Sequence, residues 1–281
     1  MNLEAFFKRI NFKGKANPDI ETLSALQEKF LLSVPFENLD IHYGNLPVTL
    51  SLESVYEKIV NDNRGGICYE CSNLMAWALR EIGYSVDFIS AQMMPSPVSA
   101  KLNDRHVLLK VAIDGYEYAV DVGNGQSFRH PLDLRGSNKD YIPEGKAFRF
   151  NNFEDETHPN SDLHALYYIG NGSGKNCEAR FVFKNEARDL DYFQDACDYA
   201  QTSPQSIFVK KPIASLALPD GRISVSPQVL RLTKNGTVTE IPLNSDEDFI
   251  NCLKKRFNLI ITKKRNSLYG SDEWQEPKGI W

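Results

Sequence analysis

Three side chains in this sequence have the types and spacing for nucleophilic chemistry: Cys68, His106 and Asp121. Cys68 opens a helix in which Cys71, Leu74, Met75, Ala78, Leu79 and Ile82 recur at helical spacing up to a stop at Gly83. A sulfur in a first helical turn meets unpaired N–H groups and the positive end of the helix dipole, and both favour thiolate over thiol. Gly65-Gly66 just ahead lets the backbone approach closely and keeps bulk away from the sulfur. Position alone also fits an ordinary buried cysteine.

A hairpin supplies the second half. Arg105 to Ile113 and Tyr116 to Val122 alternate as strands around Asp114-Gly115, a two-residue turn signal. With Ile113 opposite Tyr116, Leu108 falls opposite Asp121 and His106 opposite Gly123. His106, Leu108 and Asp121 then share a face, with His106 and Asp121 diagonal neighbours about 7–8 Å apart at the backbone. The other face carries Val107, Leu109, Val111 and Ile113 against Val122, Val120, Tyr118 and Tyr116, a plausible core that checks the register. An aspartate that orients a histidine and stabilises imidazolium can sustain a nearby thiolate.

The elements around these residues form three stretches. The first third reads helical. Asn17-Pro18-Asp19 starts one helix, Val34-Pro35 breaks it, and Ser51 caps another in which Leu52, Val55, Tyr56 and Ile59 share a face. From Ser85 the period changes to two. Strands are expected at Ser85–Ala91, in the hairpin, and near Ala147–Phe150, Ala165–Ile169 and Glu178–Phe183, with Gln92–Asp104 a loop. The last third mixes types: strands at Ile223–Val225 and Val229–Thr233, a turn at Asn235-Gly236, and a helix capped by Ser245 with Asp248. The expected fold class is α/β of α+β type, with a helical first third, a mostly antiparallel middle third that suits a small barrel and a mixed last third.

With 281 residues, 42% of them hydrophobic and 25% charged, the chain can bury a sizeable core, so disordered and low-complexity classes fall away. A net charge of -5 argues against a nucleic-acid partner held by charge. There is no apolar run of spanning length and no signal-peptide pattern at the start, so the expectation is a cytoplasmic protein with no membrane partner. Five cysteines form no disulfide framework. Cys68-Tyr69-Glu70-Cys71 is formally a C-x-x-C, but zinc would need a second ligand pair, and a thioredoxin-like motif would follow a strand in a βαβ unit. His42, His130, His158 and His164 make no ligand spacing, and Asn171–Lys175 reads as a turn. No metal is expected.

Arg64-Gly65-Gly66-Ile67-Cys68-Tyr69-Glu70, preceded by Val34-Pro35-Phe36-Glu37-Asn38-Leu39, resembles the arylamine N-acetyltransferase family. So do His106, Val120-Asp121-Val122-Gly123 and Thr202-Ser203-Pro204-Gln205-Ser206-Ile207-Phe208. These motifs stand in family order, and the matching segments run from about residue 20 to 260. The resemblance implies a helical domain over 1–83, an antiparallel β-barrel over 84–190 and an α/β domain over 191–281 around a papain/transglutaminase-like core, with Cys68 as acyl-accepting nucleophile, His106 as base and Asp121 as its orienter. It implies acetyl-CoA as co-substrate and a two-step transfer through acetyl-cysteine to an arylamine, arylhydrazine or N-hydroxyarylamine. Phe36 and Phe208 match family positions beside the acceptor, though both also suit a core. After Val122-Gly123 many members carry an aromatic residue, where this chain has Asn124. Arg64 and Glu37 resemble an ion pair behind the nucleophile's helix. No residue is assigned to CoA. A cysteine hydrolase or transglutaminase-like enzyme would use the same three residues, and a non-catalytic binding protein could share the fold.

Overall fold

The computed structural model describes residues 1–44, 47–95, 104–153, 162–169 and 177–262. His158, most of the Gln92–Asp104 loop, the Asn171–Lys175 turn, the Cys177 side chain and the segment from 263 lie outside the described residues.

The chain begins with helices α1 (Leu3–Arg9), α2 (Ile20–Ser33), α3 (Leu39–Tyr43), α4 (Leu52–Tyr56) and α5 (Cys68–Ile82), with the two-residue strand β1 (Phe36–Glu37) after α2. Asp19 caps α2 by accepting from the Thr22 amide, and Ser51 caps α4 by accepting from Ser54. Ile59 is not part of one continuous helix with Leu52. After α4 the chain widens into a π-helical turn, Glu57–Asn61.

Strands β2 (Ser85–Met93), β3 (His106–Ile113), β4 (Tyr116–Val120), β5 (Leu132–Asp133), β6 (Asp140–Ile142), β7 (Lys146–Asn152), β8 (Leu163–Ile169) and β9 (Cys177–Arg188) follow. They form one antiparallel sheet in the order β5-β4-β3-β2-β9-β8-β7-β6, curled until β5 lies against β7 in a nearly closed barrel. Strand β2 continues through Gln92 to Met93, two residues into the expected loop. At the hairpin, Asp114 and Gly115 both take positive φ, 50° and 79°, as a type I′ turn needs. Ile113 pairs with Tyr116 as the pattern requires, and the ladder runs to Leu109 opposite Val120. There β4 ends, two residues short of the expected Val122, because the chain turns off into a loop at Asp121.

Helices α6 (Gln194–Thr202) and α7 (Ile207–Lys210) lead to strands β10 (Ala214–Leu218), β11 (Gly221–Ser226), β12 (Val229–Lys234) and β13 (Thr237–Pro242) and helix α8 (Asp246–Phe257). The second sheet has the order β1-β10-β11-β12-β13, so its first strand comes from the helical region. Phe36 also bridges Gly66 in parallel, tying that strand to the approach of α5.

The largest core lies between α5 and the hairpin. Leu74, Met75, Ala78 and Leu79 of the helix join one cluster with Val107, Leu109, Val111, Val120 and Val122. The opposite hairpin face, Leu108 and Ala119, lies in the barrel core with Phe128, Phe150 and Phe181. At the His106 end both faces of the hairpin are therefore buried, while toward the turn Val111 and Ile113 stay buried and Lys110 and Ala112 do not, and that difference pins the register. Among the described residues, no helix is long and apolar enough to cross a membrane.

Candidate active site

Cys68 is the first residue of α5 and is 3% exposed. His106 opens β3, opposite Ala91 of β2, with its ring 5.4 Å from that of Phe181. Asp121 is fully buried just past β4. His106 Nε2 and Asp121 Oδ2 are 3.2 Å apart, the diagonal meeting that the hairpin pattern predicts. Nε2 is committed to the carboxylate, which leaves Nδ1 free to face a partner, and Cys68 lies close enough to this ring to raise its basicity. Gly123 seats the strand end on the helix: a Cβ there would stand 2.5 Å from the Cys68 Cα. The structure thus brings Cys68, His106 and Asp121 together.

Burial lowers the basicity of His106, but the charge and hydrogen bond of Asp121 outweigh it, with Cys68 adding to them. The ring is pushed up to about 10. At neutral pH it is imidazolium, a partner for thiolate rather than a free base.

One member of the site has no sequence signal. Ser127 donates to the same oxygen of Asp121 that faces the imidazole, at 3.0 Å, and the Gly123 amide donates to the other oxygen at 3.1 Å. Three donors hold the carboxylate in place. Ser127→Ala should slow acylation of Cys68 about tenfold, the usual effect of losing one hydrogen bond to a buried charge. Single-turnover rates check this, and Ser127→Thr, which keeps the hydroxyl, should restore most of the rate.

Behind Cys68 lies a buried network of charges. Glu37 Oε1 accepts from Arg64 Nε at 2.9 Å and from the Gly65 amide at 3.2 Å, while Oε2 accepts from the Leu39 amide at 2.7 Å. Arg64 also reaches Asp40 at 2.8 Å. Lys58, carried on the π-helical turn, lies 2.7 Å from Asp40 and 2.8 Å from Glu70. Glu70 in turn accepts from the Ile67 amide at 3.0 Å, capping the helix that Cys68 begins. Burial raises the Glu70 carboxyl, and the Lys58 charge opposes it. Gly65 is required here because a Cβ would overlap the Pro35 carbonyl. The expected Arg64–Glu37 pair is thus part of a five-residue cluster, in which Lys58 and Asp40 had no motif to announce them.

Phe36 and Phe208 also meet, with ring centroids 5.9 Å apart and planes tilted by 57°. Asn38 holds the second of them in place by donating to the carbonyls of Phe208 and Lys211 and accepting from Ile213. A cavity lined by Val34, Phe36, Val122, Gly125, Ser127 and Ser215 lies beside Phe36. Asn124, half-buried, directly precedes Gly125 of that lining. Among the described residues no group of His, Cys, Asp and Glu could hold a metal.

A family model described as N-acetyltransferase matches residues 19–266. The arylamine N-acetyltransferase pineal gland isozyme NAT-10 of Gallus gallus is 35% identical, the match covering 94% of this chain and 96% of that one. The arylamine N-acetyltransferase structure from M. tuberculosis superimposes with a TM-score of 0.79 at 29% identity, over 93% of this chain and 94% of that one. The Mycobacterium marinum arylamine N-acetyltransferase in complex with CoA gives 0.80 at 26% identity, over 92% of both chains.

Proposed function

The chain belongs to the arylamine N-acetyltransferase family, and from that premise we propose that it transfers acetyl from acetyl-CoA to aromatic amines or hydrazines through Cys68. The observation that carries the assignment of residues is the buried Asp121–His106 pair beside the sulfur at the start of α5.

In the first half-reaction the Cys68 thiolate attacks the thioester carbonyl of acetyl-CoA. A C–S bond forms, the CoA sulfur leaves, and His106 gives it the proton it needs. In the second half the amine nitrogen attacks the acetyl-cysteine. His106, now neutral, takes the amine proton, and the Cys68 thiolate departs to re-form the ion pair. Asp121 stays ionised throughout and keeps the ring oriented. Thioester exchange is nearly isoenergetic, so most of the driving force is kept for amide formation.

Phe36 and Phe208 form an apolar wall for the acceptor, and Asn124 adds a polar group where an aromatic ring would narrow the choice to flat amines. The chain divides functionally into a nucleophile-bearing helical part (1–83), a barrel part carrying His106 and Asp121 (84–190) and a C-terminal part (191–281) that supplies Phe208.

Intact mass after mixing with acetyl-CoA and no acceptor tests the reading. The expected result is a gain of one acetyl group that maps to the Cys68 peptide and disappears when an arylamine is added. No gain, or an acetyl group mapped elsewhere, would overturn it. Prompt loss of the group without an amine would instead indicate a hydrolase.

A further inference from the structure

Cys71 has no part in the transfer just described, yet it stands one turn after Cys68 on the same helix. Residues three apart in a helix have Cα atoms about 5 Å apart, inside the roughly 4.4–6.8 Å that a disulfide spans. Helical side chains lean toward the N-terminus, and the Cys71 sulfur does so, donating to the Gly66 carbonyl at 3.4 Å. That carbonyl lies ahead of the helix, so the thiol sits at the level of the turn that carries Cys68. The other described thiols are on different elements: Cys197 on α6 beside the Val48 carbonyl, Cys252 on α8 in the C-terminal core.

We propose that Cys68 and Cys71 form a redox-modification site for hydroperoxides, in which oxidation of Cys68 is captured by Cys71 as a disulfide that blocks acyl transfer until a dithiol reopens it. The proposal rests on the reading of Cys68 as the reactive thiolate. That thiolate attacks the terminal peroxide oxygen; the S–O bond forms, the O–O bond breaks, and the alkoxide leaves with a proton from His106 as an alcohol. The Cys71 sulfur then attacks the Cys68 sulfur. An S–S bond forms, the S–O bond breaks, and hydroxide leaves with the Cys71 proton as water. Two thiols have lost two electrons, and the hydroperoxide has become alcohol and water.

The surroundings of the two thiols set this order. Burial, helped by the negative charge of Glu70, pushes the Cys71 thiol well above its ordinary range. Cys71 therefore remains a thiol while Cys68 reacts, and attacks only when an electrophilic sulfur has formed beside it. Capture at this stage stops Cys68 from advancing to the irreversible sulfinic acid.

The test treats the whole protein with tert-butyl hydroperoxide and reads mass, peptide map and acetyl transfer. Acetylation of an untreated sample, read by mass, checks the underlying reading separately. The expected result is loss of two hydrogen atoms, a Cys68–Cys71 bridge in the map, and return of at least about nine-tenths of the activity with dithiothreitol. Cys71→Ser, which keeps a donor for Gly66, should gain two oxygens on Cys68 and recover less than about one-tenth. Cys71→Ala repeats the comparison without the hydroxyl. If neither variant folds, the map of the parent decides. A bridge to Cys197, oxygen gain in the parent, or equal recovery by the variants would overturn the proposal.

Discussion

Asp121→Asn should lower the rate of Cys68 acylation by about 10⁴-fold while leaving the fold in place, the size of effect seen when an orienting carboxylate loses its charge. The amide is nearly the same shape, so the barrel core and the seat of Gly123 on Cys68 are undisturbed. What changes is the balance on His106. Burial pulls the ring down, and the carboxylate is the main group that overcomes it. Without that charge His106 falls below its ordinary value, the ring is neutral at pH 7, and the thiolate loses its counter-ion. A pH profile of single-turnover acylation reads this directly. The same change appears in stability. The folded parent holds the His106 proton up to about 10, whereas the unfolded chain releases it near about 6.5. This group's contribution is thus complete below about pH 6.5 and fades as pH rises through 10. In Asp121→Asn that loss should vanish from urea unfolding at pH 7 and 9.5; an unchanged difference between the two pH values would contradict the assignment.

The second large effect is expected at a residue bonded to none of Cys68, His106 and Asp121. Lys58→Met leaves Glu70 and Asp40 facing the gap where their shared cation stood, and breaking a buried ion pair from one side costs about 3–5 kcal/mol. Chemical denaturation of the parent and variant measures it. Adding Glu70→Gln to Lys58→Met should give a double variant less damaged than the sum of the two single ones, because the carboxylate left without its cation is gone. Strict additivity would mean that the two side chains do not work as a pair. Glu70 also caps α5 through the Ile67 amide, so Lys58→Met should slow acylation as well as weaken the fold.

Local signals account for what the sequence reveals. The period of α5, the Asp114-Gly115 turn and the alternation on either side of it are each contained in a few residues, and they place Cys68 at a helix start and His106 diagonal to Asp121 before any tertiary contact is considered. The register is legible because a slip of one residue would turn Val111 and Ile113 out of the core. The ladder's early end is not. Asp121 is aimed by the Gly123 amide and Ser127 in a loop, and a loop has no period to read. Strand β13 is exposed along its whole length and so lacks the alternation that marks a half-buried strand. Strand β1 has only two residues and exists because β10 pairs with it. Phe36 and Phe208 could be named only by resemblance, since Asn38 and Phe208 stand 170 positions apart and meet through folding. The charged network is scattered over residues 37 to 70, where each member alone looks like a surface charge.

The pairing of Phe36 and Glu37 with Ser215 and Ala214 has a consequence for how the protein is made. A chain still emerging from the ribosome has its sulfur, imidazole and carboxylate long before it has the strand that β1 joins. Until that strand arrives, the segment holding Arg64 and the Gly65 amide has no sheet to anchor it, and Phe208 has no fixed seat. The segment behind Cys68 therefore gains its full anchorage only after Ala214 and Ser215 have been made, so assembly of the site waits on the C-terminal part of the chain.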